Sequence, residues 1–226
     1  MNFLQLCQRL RQECSISGSG PTSVVGQSGE MQRLVDWTNQ AWTEIQEFRP
    51  NWNWMVGAFS FQTVAGQYEY TPTEAGINTT FANWKLDSVR TFLTAQGVGS
   101  EQYCSFTPYD CFRDFYLFST HTTSLSQPLE ISVAPNKNLL LGYPPNAVYT
   151  CRGEYYKLPQ VLAADVDTPD MPARFHMMIV YRAMMEYAAY TASPEVYQRA
   201  EQRYREMLHR LEQDQLPMPE TGPCLA

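Results

Sequence analysis

Three aspartates and a histidine are the group of side chains in this 226-residue sequence best suited to acid–base or metal chemistry. Asp165, Asp167 and Asp170 lie close together, and His176 follows them. Their oxygens could bind a divalent cation, or the group could supply an acid and a base. It lacks the glycine and the terminal glutamate of a calcium loop. We favour the alternative that these acids precede a helix whose amino-terminal dipole attracts negative charge.

Other patterns of catalytic or metal-binding residues are weaker. The turn at 17–20, Ser-Gly-Ser-Gly, lacks the spacing and the preceding strand of a phosphate-binding loop or a nucleophile elbow. The three histidines are dispersed, and Cys7 and Cys14 would lie about 10 Å apart on one helix, too far to share an ion. We expect the six cysteines to be reduced packing residues. The sequence therefore predicts no enzyme, no cofactor and no metal site.

The composition is that of a folded, acidic protein. Hydrophobic residues make up 44% of the chain, and the net charge is −7 with 16 basic and 23 acidic residues. A surface that grips nucleic-acid phosphates needs a basic face, so DNA binding is not expected. No positive leader precedes an apolar block, and no stretch approaches the roughly 18 apolar residues of a membrane span. We expect neither secretion by a signal peptide nor insertion in a membrane.

Hydrophobic periodicity predicts an α+β protein. Apolar residues at helical spacing predict helices over residues 2–14, 29–48, 174–190 and 194–213. Alternating β-formers predict strands at 59–61, 68–70, 85–93, 103–106, 129–134, 138–143 and 147–156. Residues 109–118 have a mixed pattern that one or two helical turns would also fit. We expect a helical bundle from residues 1–57 and 159–213, an inserted and mostly antiparallel β-module from 58–158, and an extended tail from 214–226.

Two features suggest surfaces for other polypeptides. The helix at 175–190 is apolar on all sides except at His176, Arg182 and Glu186, so it needs burial on more than one side. It is either the central helix of a bundle within one chain or a helix with one side against a neighbouring copy. The sequence contains 13 arginines against three lysines, ten methionines and 30 aromatic residues, a composition typical of interfaces. The second feature is the proline-rich tail, which is too poor in large apolar residues to fold alone.

Specific strings resemble a known family. Residues 20–30, GPTSVVGQSGE, and 33–42, RLVDWTNQAW, resemble the amino-terminal signature of tailed-bacteriophage head-to-tail adaptor (connector) proteins. Residues 165–172, DVDTPDMP, and the closing 211–217, LEQDQLP, are similar to later parts of that family.

The resemblance implies a structural virion protein of the neck, assembled in the host cytoplasm. Such proteins form a homo-oligomeric ring, usually of twelve copies, beneath the portal protein. The ring extends the DNA channel for genome retention and ejection, and DNA passes through the lumen without specific binding. Tail nozzle or tail fibre proteins are the other implied partners.

Carried onto this sequence, the resemblance assigns residues to two contacts. Subunit contacts would come from Arg33, Trp37, Trp42, Arg174, Met178, Tyr181, Arg182 and Met185. Portal binding would come from Leu216, Pro217, Met218, Pro219, Pro223 and Leu225.

Two other functions stay open at this point. The protein could be a non-catalytic binding module, associated with the tail or binding glycans, in which β-module aromatics stack on sugars or capture a tail protein. The candidate residues are Tyr68, Tyr70, Tyr143 and Tyr149. The other possibility is a metal-assisted hydrolase centred on the three aspartates and His176.

Overall fold

Helices and strands segregate into two compact units in the computed structural model, which describes residues 1–49, 51–118 and 120–216. Met1–Met55 and the chain from Pro159 onward form the helical unit, and Val56–Leu158 forms the β unit. The predicted α+β class is confirmed. No helix in the described part of the chain has the length and apolar character needed to cross a bilayer.

Among the described residues, four helices build the helical unit. They are α1 (Phe3–Glu13), α2 (Gly29–Phe48), α4 (His176–Tyr190) and α5 (Pro194–Gln215). Asn2 and Gln5 cap α1 reciprocally, and Pro194 occupies the first turn of α5, where a missing N–H costs nothing. Two short 3₁₀ turns, Asn53–Met55 and Ala173–Phe175, complete the unit.

Helix α4 is the central helix of this unit. It packs against α1, α2 and α5, and Ile179, Val180 and Ala183 are completely buried. The helix that the sequence shows to be apolar on all sides thus finds most of its cover within its own chain. The interpretation of α4 as the central helix of a bundle within one chain therefore accounts for its buried side chains.

Two four-stranded sheets form the β unit. The strands are β1 (Val56–Gln62), β2 (Glu69–Tyr70), β3 (Phe81–Leu93), β4 (Gln102–Tyr103), β5 (Ser105–Phe106), β6 (Glu130–Val133), β7 (Leu139–Leu141) and β8 (Tyr149–Lys157). One sheet has the strand order β1-β8-β3-β4 and is antiparallel. The other has the order β2-β7-β6-β5, and β5 pairs parallel with β6. The predicted strand at 103–106 is in fact two strands in different sheets, because the chain changes sheet at the buried Cys104.

The segment with the mixed pattern is helical. Helix α3 (Tyr109–Phe112) continues as a π-helical turn over Arg113–Leu117. Phe112 and Tyr116 pack in a small cluster with Leu140. The mixed pattern of this segment is therefore explained by two inward-facing aromatic residues four positions apart on a helix.

The carboxyl-terminal helix is longer than its sequence pattern predicts. Helix α5 includes Asp214 and Gln215, so the prediction that the extended tail begins at residue 214 is wrong by two residues. Leu216 follows in extended conformation and is half-buried against the helical core, with its amide donating to the Glu212 carbonyl. Pro217, Met218, Pro219, Pro223 and Leu225 lie outside the described residues.

Candidate functional site

A cationic and aromatic cluster on the helical unit, which we call the α2/α4 patch, consists of Arg33, Trp37, Tyr187 and Tyr190. The Arg33 guanidinium carbon lies 4.2 Å from the centre of the Tyr190 ring. The Trp37 ring centre is 5.7 Å from that of Tyr190 and 6.1 Å from that of Tyr187. Tyr190 is 60% exposed, so the patch lies at the surface. Predicted interface residues Arg33 and Trp37 are therefore together, and two tyrosines join them.

Helical spacing explains the α2/α4 patch. Arg33 and Trp37 are four residues apart on α2, and Tyr187 and Tyr190 are three apart on α4, so each pair shares one helix face. Within the described part of the chain, Arg33 has no carboxylate partner. A cation stacked on a ring keeps its N–H donors free at the ring's edge. The N–H groups of Arg33 can thus donate hydrogen bonds to a carboxylate or carbonyl of another polypeptide.

Arg182 has an internal role instead. Its guanidinium lies 2.6 Å from Glu44 on α2 and 2.8 Å from Glu186 one turn along α4. The side chain is only 21% exposed. Because both sides of the fork are occupied, Arg182 ties α2 to α4 and has little to offer a neighbouring subunit.

Two predicted interface residues belong to the core. Trp42 and Met178 are completely buried within the helical unit, and Trp42 stacks near Trp54, which stacks on Trp52. Their assignment to a subunit contact is corrected here, because a fully buried side chain has no surface for a neighbour. The apolar patterns of α2 and α4 could not separate the side of each helix that meets its own chain from the side that does not.

The other predicted interface residues keep some surface. Tyr181 and Met185 are half-buried and pack against the edge of the core. Arg174, at the turn before α4, is exposed; it forms an ion pair with Asp214 of α5, and its guanidinium carbon lies 5.0 Å from the Phe175 ring centre.

A cleft opens beside Arg174 at the carboxyl end of α5. Its volume is about 430 Å³, and its lining consists of Arg174, Phe175, Met207, Arg210, Gln213 and Asp214. Hydrogen bonding to Arg174 lowers the pKa of the Asp214 carboxyl, so that pair is ionised. We call this feature the α5 cleft.

The acidic connector is a brace between loops. The Asp165 carboxylate accepts hydrogen bonds from the Val24 amide at 2.6 Å and the Ser23 hydroxyl at 3.1 Å. The Asp167 carboxylate accepts from the Ala163 and Ala164 amides, which lower its pKa. The described residues contain no cluster of histidine, cysteine and acidic side chains able to hold a metal ion. The carboxylates of Asp165 and Asp167 accept hydrogen bonds from backbone N–H groups and do not interact with a helix dipole. Their role is structural, but it is not the helix-dipole role that the sequence suggested.

His176 is separated from those carboxylates by its own hydrogen bonds. Its ring nitrogens lie 2.9 Å from the Met171 carbonyl and 2.6 Å from the Met1 nitrogen, and the residue is 1% exposed. Burial lowers the pKa of His176 below its usual range. The hydrolase hypothesis would need this ring close to a carboxylate and a substrate, and the structure instead buries it as part of the helical unit.

The β-unit tyrosines named for sugar stacking divide into two pairs. Tyr70 and Tyr149 are buried and cannot stack on a ligand. Tyr68 lines a cleft of about 280 Å³ together with Tyr109. Tyr143 packs edge-on against Tyr116 at 5.1 Å. Half of the predicted aromatic set is thus unavailable, which weakens the glycan-binding alternative.

The sequence-based assignment missed Tyr187 and Tyr190 as surface partners of Arg33. Both tyrosines were visible only as members of an apolar helix, because their contacts come from α2, which is more than a hundred residues away in the chain. The sequence signal that could have identified the two tyrosines is their position at the end of α4. A helix leaves its bundle there, and its last aromatic side chains become exposed.

The two units and this surface define an α+β protein with a patch suited to contact with other polypeptides. A family model described as SU10 adaptor protein matches residues 1–222, so the chain belongs to that family. The family is one of phage adaptors: structural, generally non-catalytic components of the virion neck that associate with portal and tail proteins. A comparison with curated proteins gives no match. The resemblance noted from residues 20–42 and 165–172 is confirmed.

Proposed function

We propose that this chain is the subunit of a closed adaptor ring of twelve copies that joins the portal to the tail and extends the DNA channel for genome retention and ejection. Family membership supports the adaptor role. Contact of the β unit with nozzle or fibre proteins, portal binding by residues from Leu216 onward and assembly in the host cytoplasm are parts of the same proposal.

The α2/α4 patch is the observation that supports the proposed ring. A closed ring needs a heterologous contact in which one surface of each subunit meets a different surface of the next. Arginine, tryptophan and tyrosine are the residues that contribute most binding energy at interfaces, and here Arg33, Trp37 and Tyr190 are in contact at the surface. We assign this patch, with Arg33 as its cation, to one side of the subunit contact.

The charge of the chain suits a DNA conduit. The net charge is −7, with 23 acidic against 16 basic residues, so the subunit as a whole repels phosphates more than it neutralises them. DNA that passes such a lumen is not held by counterion release, and it can leave the capsid quickly.

Native mass spectrometry of the full chain mixed with its portal tests the proposal. We expect the wild-type chain to form a portal-bound ring and Arg33→Glu to lower its yield at least tenfold, because the substitution places like charge against the neighbour's acceptor. Arg205→Glu is the matched control, since Arg205 is a surface arginine whose side chain is 74% exposed. Ring formation by Arg33→Glu at the wild-type level would refute the assignment of the patch, and a chain that never joins the portal would refute the adaptor ring itself.

A further inference from the structure

The α5 cleft lies where the described chain ends, and it has a free cation. Arg210 lines the cleft, is exposed, and has no ion-pair partner among the described residues. The sequence pattern places Glu206 one turn before it, but the structure pairs Glu206 with Arg203. The neighbouring cation, Arg174, is already neutralised by Asp214. Among the described residues, the cleft therefore has one positive charge without a counter-charge, beside the half-buried Met207 and the small exposed part of Phe175.

The ten residues that follow Leu216 complement this cleft. Their sequence, PMPETGPCLA, contains a single charged residue, Glu220, and apolar residues on both sides of it. Three prolines among the ten favour a preformed extended conformation, which loses little entropy when it binds a groove with an aromatic wall. One carboxylate in the segment thus matches one uncompensated guanidinium in the cleft.

The distances allow this pairing within one chain. Arg210 lies six residues before Leu216 on a helix, which is about 9 Å along the axis. Glu220 lies four residues after Leu216, and four extended residues span up to about 13 Å. Leu216 leaves the helix in extended conformation and is anchored on the core, which starts the segment next to the cleft. A turn after Leu216 can therefore bring Glu220 to Arg210.

We propose that residues 217–226 of the same chain dock in the α5 cleft, with the Glu220 carboxylate paired to the Arg210 guanidinium. Met218 and Pro219 then cover Phe175 and Met207. In a consequence that rests on the proposed function, the docked segment is withheld from the portal until the portal displaces it, so a free subunit does not present its portal-binding residues.

Zero-length carbodiimide crosslinking of the full-length chain tests the docking. The three native lysines all lie in the β unit, so Arg210→Lys places a single lysine in the helical unit. The other amine of that unit is the Met1 nitrogen beside His176, and the digest separates its crosslinks from those of position 210. We expect an amide bond between Glu220 and the lysine introduced at position 210, identified by mass spectrometry of the digested chain. A mixture of heavy- and light-isotope protein distinguishes bonds within one chain from bonds between chains.

His209→Lys is the matched control. Position 209 is as close to Leu216 along α5 as position 210, it is exposed, and it is rotated by about 100° away from the cleft lining. A docked segment should give at least five times more crosslink to Glu220 from position 210 than from position 209. Equal yields from the two positions would overturn the proposal, because an unbound segment reaches both.

Two further results keep the test decisive. The double substitution Arg210→Glu with Glu220→Lys reverses the pair and should give the same 210–220 crosslink as Arg210→Lys. Absence of that crosslink in the reversed pair would count against docking, because charge pairing works in either direction. Crosslinks found only between heavy and light chains would show that a second copy supplies the segment, and they would overturn docking within one chain. No portal is present in these experiments, so their failure leaves the adaptor ring standing, and failure of Arg33→Glu to disrupt the ring leaves the docking intact.

Discussion

Removing the Asp165 carboxylate should loosen the loop over residues 15–28 from the helical unit. That carboxylate accepts two hydrogen bonds, one from the backbone amide of the buried Val24 and one from Ser23. Both bonds have the carboxylate as acceptor, and a hydrogen bond to a charged group contributes about 1.5–3 kcal/mol. Asp165 is partly exposed, so water replaces some of the loss after substitution. We expect Asp165→Ala to lower the free energy of unfolding of the helical unit by about 2 kcal/mol.

Thermal unfolding followed by far-UV circular dichroism measures this loss, which corresponds to a melting-temperature decrease of about 4–8 °C in a chain of this size. Amide hydrogen exchange gives a local measurement, because the Val24 amide should exchange faster. Asp170→Ala is the matched control: it removes the same charge from an exposed position in the same connector, where the hydrogen bond to Gln160 uses the backbone. If the two variants unfold alike and Val24 exchange is unchanged, the brace does not have the role assigned to it.

Two more predictions concern the same unit. Burial lowers the pKa of His176 from an ordinary value of 6.5, so the native state holds the ring neutral. Its contribution to stability should be complete above pH 6.5 and decline as the pH falls below that value. In chemical denaturation across pH 5–8, His176→Gln should therefore show a smaller decline; an unchanged pH dependence would contradict this. Arg182→Met should lower the free energy of unfolding by about 1–2 kcal/mol, since it leaves two half-buried carboxylates unpaired. Arg205→Met, which removes an exposed pair, should change it by less than about 0.5 kcal/mol, and similar losses in both variants would show that burial does not matter here.

Local patterns predict the elements of this fold well because each pattern is a property of consecutive residues. The apolar stripe of α2 and the alternation in β1 each appear in one segment, whatever the rest of the chain does. Errors arise where a local pattern allows more than one outcome. Alternation at 103–106 indicates one strand, but the tertiary fold places its two halves in different sheets, one of them paired in parallel. Prolines after residue 216 suggest an early tail, but α5 continues to Gln215, where Asp214 pairs with Arg174 and the following Leu216 packs against the core.

The candidate site is less predictable than the elements that form it. Arg33 and Trp37 follow from residue type and spacing on one helix, but their partner Tyr190 comes from a helix far along the chain. Trp42 and Met178 have the same residue chemistry as an interface and yet are buried. Residue type alone does not separate a core aromatic from an interface aromatic, since both are desolvated and both pack closely.

The sequence by itself determined the α+β class, the helical and β segments, the acidic charge and the membership of an adaptor family, because composition, periodicity and family strings are carried by the order of residues alone. Only the tertiary structure decided which side of α4 its own chain covers, which arginine is tied to two carboxylates and which one is left with free donors at the surface. The reason is that burial and pairing depend on neighbours brought together from distant parts of the chain, and a helix pattern records that a face is apolar without recording what covers it.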